Sequence, residues 1–335
     1  MPTRLVIAIQ DYIGEDFLYS KAHTEDTSYY KQIVTDQRGA EVLAIGTSRV
    51  LQIQGFFFEE DTSFYNAGLI ASNLPDLLLA LQSIEEDSLP DVAILSLDEY
   101  FFNEEWYANN DGELFPQEPV TGLELYTAAA IGIYEEICRE PEFYLTLCQS
   151  PSKIGTGAKG FDHGYGLDGA YTYGSVYEHP ASTSVRIKET VDNVKYATGR
   201  YYTGDTVSSE ALDTLREIAA FCEEHDITLV TFTPPLCTSA IEEMEERGDM
   251  GYFFEIADAV SAVAVEEGFE FYDFSDPAIL DADDTYFIDG FHGSDVLYLR
   301  MLIQMVEQDS CLSAYVNLDD LIAMNENALS TLQVQ

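Results

Sequence analysis

A serine hydroxyl attacks an acyl carbon only when a base takes its proton and a further group holds that base in place. Two segments of this chain carry the three groups. Ser48 closes Gly46-Thr47-Ser48 directly after the apolar run Val42-Leu43-Ala44-Ile45, and Asp289-Gly290-Phe291-His292 stands near the C-terminal end. Histidine, with an ordinary pKa of about 6.5, is the side chain suited to deprotonate a hydroxyl near neutrality. An aspartate three residues ahead of it, across a turn containing glycine, can set an oxygen against one ring nitrogen and leave the other free for the serine. Each segment alone also has a plain structural reading, as a turn or helix cap for Ser48 and as a helix-capping Asp289 beside an incidental surface histidine. Together they are far more specific. The stretch Gly46-Thr47-Ser48-Arg49-Val50 lacks the second glycine of GxSxG, so it does not support an α/β-hydrolase elbow.

Such a serine needs a strand to deliver it. The run from Val42 to Ile45 reads as a buried parallel strand ending at its carboxyl edge, followed by a short run Phe64-Tyr65-Asn66 that stops at Ala67-Gly68. An amphipathic segment Leu74 to Ile84 leads into a third strand, Asp91 to Leu97. Later, helical patterns from Ser209 to Glu224 and from Phe253 to Glu267 lead into strands at Thr228 to Thr233 and Phe269 to Phe274, and a helical stretch follows from Val296 to Val306. This βαβ alternation predicts an α/β fold: a three-layer α/β/α sandwich with a mostly parallel, flavodoxin-like central sheet and ligands at the carboxyl ends of its strands. Residues 101–206 break the rhythm, being rich in Tyr, Gly, Asn and Asp with one helical stretch near Leu123 to Cys138, and read as a long insertion. Residues 1–40 form an N-terminal segment, 41–310 the main domain and 311–335 a helical tail.

The chain has 335 residues, with 61 acidic against 15 basic side chains and a net charge of −46. That balance repels a phosphate backbone and an anionic membrane surface, so no nucleic-acid partner is expected, and it reads otherwise as a solvated surface. The five cysteines, Cys138, Cys148, Cys222, Cys237 and Cys311, have no CxxC spacing, which argues against a structural zinc site and a disulfide scaffold. No stretch approaches the roughly 20 apolar residues of a membrane span. The short apolar run Leu5 to Ile9 is read as an ordinary first strand, with a trimmed upstream anchor as the alternative.

The blocks VLAIGTSRV, FYNAG, DVAILSLDEYFFN and YFIDGFH, in this order, resemble those of the SGNH (GDSL-like) hydrolase superfamily from about Glu41 to Glu307. They are most similar to the divergent branch of D-alanyl transfer and alginate O-acetylation proteins. The resemblance implies that Ser48 is the nucleophile, that Asp289 and His292 complete its triad, and that the backbone N–H groups of Ser48 and Gly68 hold the oxyanion. It also implies a carbohydrate or cell-envelope substrate, no cofactor, a membrane-bound acyl donor protein where acyl transfer is the reaction, and an extracytoplasmic location, with the cytoplasm as alternative.

One position departs from the family pattern. Where the third block normally reads GxND and offers an asparagine to the oxyanion, this chain has Ser96-Leu97-Asp98-Glu99, and an ionised Asp98 would repel that charge. Either Asp98 has another task, or Asn66 or Asn103 substitutes as donor, or hydrolysis is slow. Arg49 is read as a ligand for an anionic substrate group, as a partner of Asp98, or as half of a surface salt bridge. In the insertion, Tyr165, Tyr171 and Tyr173 are expected to stack on a sugar in a lid over Ser48, with a structural excursion packed by its own aromatics as the alternative. His163 and His179, near Asp162, Asp168 and Glu178, lack metal-ligand spacing, and His23 and His225 have no recognisable chemical partner. Acyl-ester hydrolysis or O-acyltransfer is therefore the expected function, and a binding protein that keeps the fold without turnover is the alternative.

Overall fold

The computed structural model describes residues 3–14, 17–20, 27–110 and 152–335, with scattered helical positions between 123 and 138. His23 and Cys148 lie outside the described residues. At the centre is a parallel sheet of five strands, β2 (Val42–Gly46), β3 (Phe64–Gly68), β4 (Val92–Ser96), β8 (Thr228–Thr233) and β9 (Glu270–Asp273), in the order β3-β2-β4-β8-β9. This is the flavodoxin-like order, and the expected α/β architecture holds. Every residue of β2 and β4 is buried, as continuous apolar runs require when helices cover both sheet faces.

Helices α3 (Leu74–Gln82), α8 (Ser209–Glu224) and α10 (Gly251–Glu267) pack in a row on one face. On the other, α11 (Asp295–Glu307) lays Tyr298, Met301, Leu302 and Met305 against Ile94 and Phe232. The chain leaves β2 for β3 on one side and returns to β4 on the other, so the order reverses beside β2. A crevice at the carboxyl ends opens at such a point.

The apolar run at Leu5 to Ile9 is not a strand. It lies within helix α1 (Thr3–Ile13), where Val6, Ile7 and Gln10 are buried and Tyr12 faces out, the spacing of an amphipathic helix. Nor is the N-terminal segment independent of the insertion. Strand β1 (Leu18–Tyr19) joins β5 (Lys153–Ile154), β6 (His163–Tyr165) and β7 (Tyr171–Tyr173) in a second, mixed sheet ordered β5-β1-β6-β7.

The two sheets are tied together by helix α2 (Thr27–Arg38). Its fully buried Lys31 donates to the carbonyls of Asn66 in β3 and Gly169 in the β6–β7 loop, with Nζ 4.5 Å from the Tyr165 ring centre. Burial pulls the Lys31 pKa down to about 7, opposed by the charge of Asp168. Further along the insertion, α7 (Thr183–Lys195) packs on α9 (Thr238–Arg247), which follows β8.

Candidate active site

Ser48 sits just past the carboxyl end of β2, at the first position of a one-turn 3-10 helix, Ser48–Val50. Thr47 caps that turn by accepting the Arg49 N–H on its hydroxyl at 3.1 Å. Gly46 is required for space: a Cβ there would come within 2.7 Å of Ser96 Oγ and 2.9 Å of Val50.

His292 and Asp289 come from the turn between Phe287 and Gly293, which pair as an antiparallel bridge. Gly290 turns the chain with φ +80°, and a side chain on it would strike Cys237 Sγ at 2.9 Å. The turn is held from outside by Cys237, whose N–H donates to the Gly290 carbonyl at 3.0 Å, and by Thr190 of α7, whose hydroxyl donates to the Asp289 carbonyl.

The structure brings the three sequence-predicted groups together. Ser48 Oγ lies 2.7 Å from His292 Nε2, and His292 Nδ1 lies 2.8 Å from Asp289 Oδ2. A carboxylate only accepts, so Nδ1 carries the proton facing Asp289 and Nε2 is the acceptor facing the serine hydroxyl. Asp289 Oδ1 takes the N–H groups of His292 and Phe291 at 2.7 and 3.1 Å. Burial works against its charge, but the His292 imidazole and these hydrogen bonds outweigh burial and hold Asp289 down at about 2. Ser48 and His292 are both partly exposed, so the pair is open to a ligand.

The expected oxyanion and binding residues fare differently. The Ser48 N–H begins its 3-10 turn and has no acceptor within it. The Gly68 N–H, by contrast, donates to Asn66 Oδ1 at 2.8 Å, while Asn66 Nδ2 donates to the carbonyls of Val50 and Ile53. Gly68 and Asn66 therefore spend their groups on each other and on the turn behind Ser48, and neither offers a donor to an oxyanion. Asn103 is also spent: it accepts the Trp106 N–H as a helix cap and donates to the Thr203 carbonyl. Asp98 is fully buried and accepts from Thr47 and Ser96 hydroxyls at 2.7 and 3.0 Å. Its task is to anchor the residue before Ser48, and it has no room for substrate.

Arg49 is neither a substrate ligand nor a surface ion pair. Its side chain is fully buried, donates to Glu99 Oε2 at 3.0 Å and to the Pro235 carbonyl at 2.7 Å, and makes no direct bond to Asp98. Burial alone would lower its pKa, but the carboxylates of Glu99 and Asp98 outweigh that and raise it, so it stays cationic. Phe291, next to His292, is flanked by two guanidinium carbons, Arg49 at 4.1 Å and Arg200 at 3.8 Å from its ring centre. Glu99 and Phe291 lie inside the quoted blocks but had no role assigned, and Thr190 and Arg200 lie outside them; the one available hint was an arginine at position 200 in a chain so poor in cations.

The insertion does reach this site, by another route than stacking. Tyr171 of β7 donates its N–H to the Leu51 carbonyl, and Gln52 donates to the Tyr171 carbonyl at 2.7 Å. Tyr173 and Tyr177 pack on the cluster of Val176, Ile288 and Leu332, directly behind Asp289. Tyr165 is buried against Tyr19, Tyr30 and Lys31 and cannot stack on a sugar. Tyr171 and Tyr173 are half-buried and set edge-on to each other and, for Tyr171, to Tyr165, an aromatic ladder that glues the second sheet together. Asp168 likewise serves the fold, accepting the N–H groups of Gly55 and Ala170.

His163 is half-buried and hydrogen-bonded to Ser175 Oγ at 2.9 Å, whereas His179 is exposed and Asp162 pairs with Lys153. His225 is exposed beside Phe221. Cys138, Cys222, Cys237 and Cys311 are free thiols. No described helix is long and apolar enough to cross a membrane. No protein-family model matches the chain, and a search of curated proteins finds no match either.

Proposed function

We propose that the chain is a serine-dependent acyl-ester hydrolase or O-acyltransferase. One observation carries this reading: the unbroken line from Ser48 Oγ to His292 Nε2 and from His292 Nδ1 to Asp289, with distances of 2.7 and 2.8 Å. In the proposed reaction His292 takes the Ser48 proton, Ser48 Oγ attacks the ester carbonyl, and the Ser48 N–H meets the developing oxyanion. His292 then returns the proton to the departing alcohol, and water or an acceptor hydroxyl releases the acyl group from Ser48. A carbohydrate or cell-envelope substrate, an acyl donor protein in the membrane and an extracytoplasmic site of action belong to this proposal on the strength of the block resemblance.

A binding role without turnover is the second reading, and a specific observation favours it: Gly68, Asn66, Asp98 and Asn103 all spend their polar groups internally. A fluorophosphonate probe separates the two, since it reacts only with an activated serine. Labelling that maps to Ser48 and disappears in His292→Ala supports the enzyme. A folded protein that resists the probe favours the binding protein.

A further inference from the structure

One charged side chain near His292 has no place in the triad. Arg200 follows α7, is half-exposed, and rests its guanidinium 3.8 Å from the Phe291 ring centre and 5.2 Å from that of Tyr100. The Phe291 ring centre is 5.0 Å from that of His292, which bounds the Arg200 guanidinium carbon at about 9 Å from the imidazole.

Several surface arginines find a carboxylate, as in Arg38 with Asp11, Arg216 with Asp213 and Glu266, and Arg247 with Asp249. Arg300 instead donates to the Leu280 and Asp281 carbonyls and to Asn325, and Arg186, like Arg200, pairs with no described carboxylate but lies away from the Phe291 ring. With 61 acidic residues against 15 basic ones, a carboxylate is the default neighbour. Yet among the described residues none pairs with Arg200, and none accepts a hydrogen bond from its guanidinium. Of the nearby carboxylates, Glu99 gives Oε2 to Arg49 while its buried Oε1 has no hydrogen-bond partner and takes none from Arg200, and Asp98 accepts from two hydroxyls. A guanidinium held against an aromatic face by its cation–π contact, with no acceptor on its N–H groups, can still offer its planar edge to an oxyanion in two parallel bonds.

We propose that Arg200 is an anion-recognising residue of the Ser48 site, binding a carboxylate or phosphate that the ester substrate carries close to its scissile bond. This rests on the serine-ester reading. It also gives the guanidinium a use: on a surface of net charge −46, an anionic substrate is repelled broadly and needs a cation with free N–H donors to meet it.

The test compares kcat/KM for 4-acetoxybenzoate, 4-acetoxyphenyl phosphate and the neutral methyl 4-acetoxybenzoate in the full chain. Wild-type protein should prefer one anionic ester over the neutral one by about 10- to 100-fold, the worth of one partly exposed charge-assisted pair. The carboxylate and phosphate arms show which anion it takes. In Arg200→Gln the preference should vanish, the anionic ester losing far more than the neutral one, and Arg200→Lys should restore part of it. No preference in wild type, or equal losses on both kinds of ester, would overturn the proposal. Calorimetric titration of Ser48→Ala protein with 4-acetamidobenzoate and 4-acetamidophenyl phosphate, which need no turnover, separates the two readings. Saturable binding lost in Ser48→Ala/Arg200→Gln, in a protein without esterase activity, keeps the anion site and sinks the ester chemistry. Esterase activity with no such binding does the reverse.

Discussion

Arg49 lies with its guanidinium carbon 4.1 Å from the centre of the Phe291 ring, so the residue after the nucleophile is stacked on the residue before the base. The Ser48 to His292 hydrogen bond therefore runs beside a second contact between the same two segments, and the positions of nucleophile and base are fixed by two adjacent pairs rather than one. The same arginine is the buried partner of Glu99. Breaking a buried pair from one side leaves an uncompensated charge, which costs about 3–5 kcal/mol.

Arg49→Met should accordingly lose stability on that scale in urea unfolding. Arg49→Met/Glu99→Met, which removes both charges, should recover much of it. A double variant no more stable than the single one would mean that the ion pair itself, rather than the orphaned carboxylate, sets the cost.

Ser48→Ala and His292→Ala should each remove nearly all turnover of a short-chain aryl ester while leaving the unfolding midpoint close to wild type. Asp289→Asn should keep more residual activity, because the carboxylate orients the imidazole and takes no proton. The same substitution has a second readout. Asp289 is held at about 2, below its ordinary 3.8, so its ionised form favours the folded state above pH 3.8, and that contribution disappears as pH falls through 2. Wild type should lose stability across that acid window more steeply than Asp289→Asn does.

The parallel strands were legible because each is a continuous apolar run closed by a polar or glycine residue, and Ser48, His292 and Asp289 because their chemistry is carried by residue type and short spacing. Leu5 to Ile9 misled because a five-residue apolar run fits a strand or a helix face equally well. Strands of two residues, such as Leu18–Tyr19 and Lys153–Ile154, carry no period at all, so the second sheet was hidden, and with it the burial of Tyr165. The spent donors divide in two. Asn66 bonding the Gly68 N–H two residues on is a local contact of a familiar type and within reach of sequence reasoning. Asp98 to Thr47 and Glu99 to Arg49 span about fifty residues and needed the fold.

Lys31 sets a pH dependence of the same sign as that of a carboxylate held low, but in an alkaline window. Its pKa falls from 10.5 to about 7 on folding, so between these values the unfolded chain holds a proton that the native protein lacks. Stability should rise as pH climbs from 7 towards 10, until buried Tyr30 and Tyr65, whose pKa values are raised, reverse the slope above the ordinary tyrosine range. In Lys31→Met the rise between pH 7 and 9.5 should be reduced. Identical slopes for the two proteins, measured by urea midpoints, would place the native lysine in water rather than under the second sheet.

Asp295 makes the complementary case at the first turn of α11. It is buried, and desolvation outweighs the N–H groups of Val334 and Val296 to push its carboxyl up to about 7. Between 3.8 and 7 the native protein then holds a proton that the unfolded chain has released, so stability should fall as pH rises through that window. Asp295→Asn is neutral throughout, and its Oδ1 can still accept the Val334 N–H, so the fall should be smaller while the tail stays docked. Removing residues 331–335 is a different perturbation. Leu332 packs on Ile288, and Thr331 bonds both the Thr285 carbonyl and the Ser294 hydroxyl, so these residues brace the strand that enters the Asp289 turn. Burial of Leu332 and Val334 alone is worth about 3–6 kcal/mol at roughly 1.5–3 kcal/mol per large apolar side chain. The truncated chain should unfold at markedly lower urea and, under conditions where circular dichroism shows it folded, turn over aryl esters more slowly than Asp295→Asn. Equal turnover in the two would mean that the Asp289 turn is held by Cys237 and Thr190 without help from the tail.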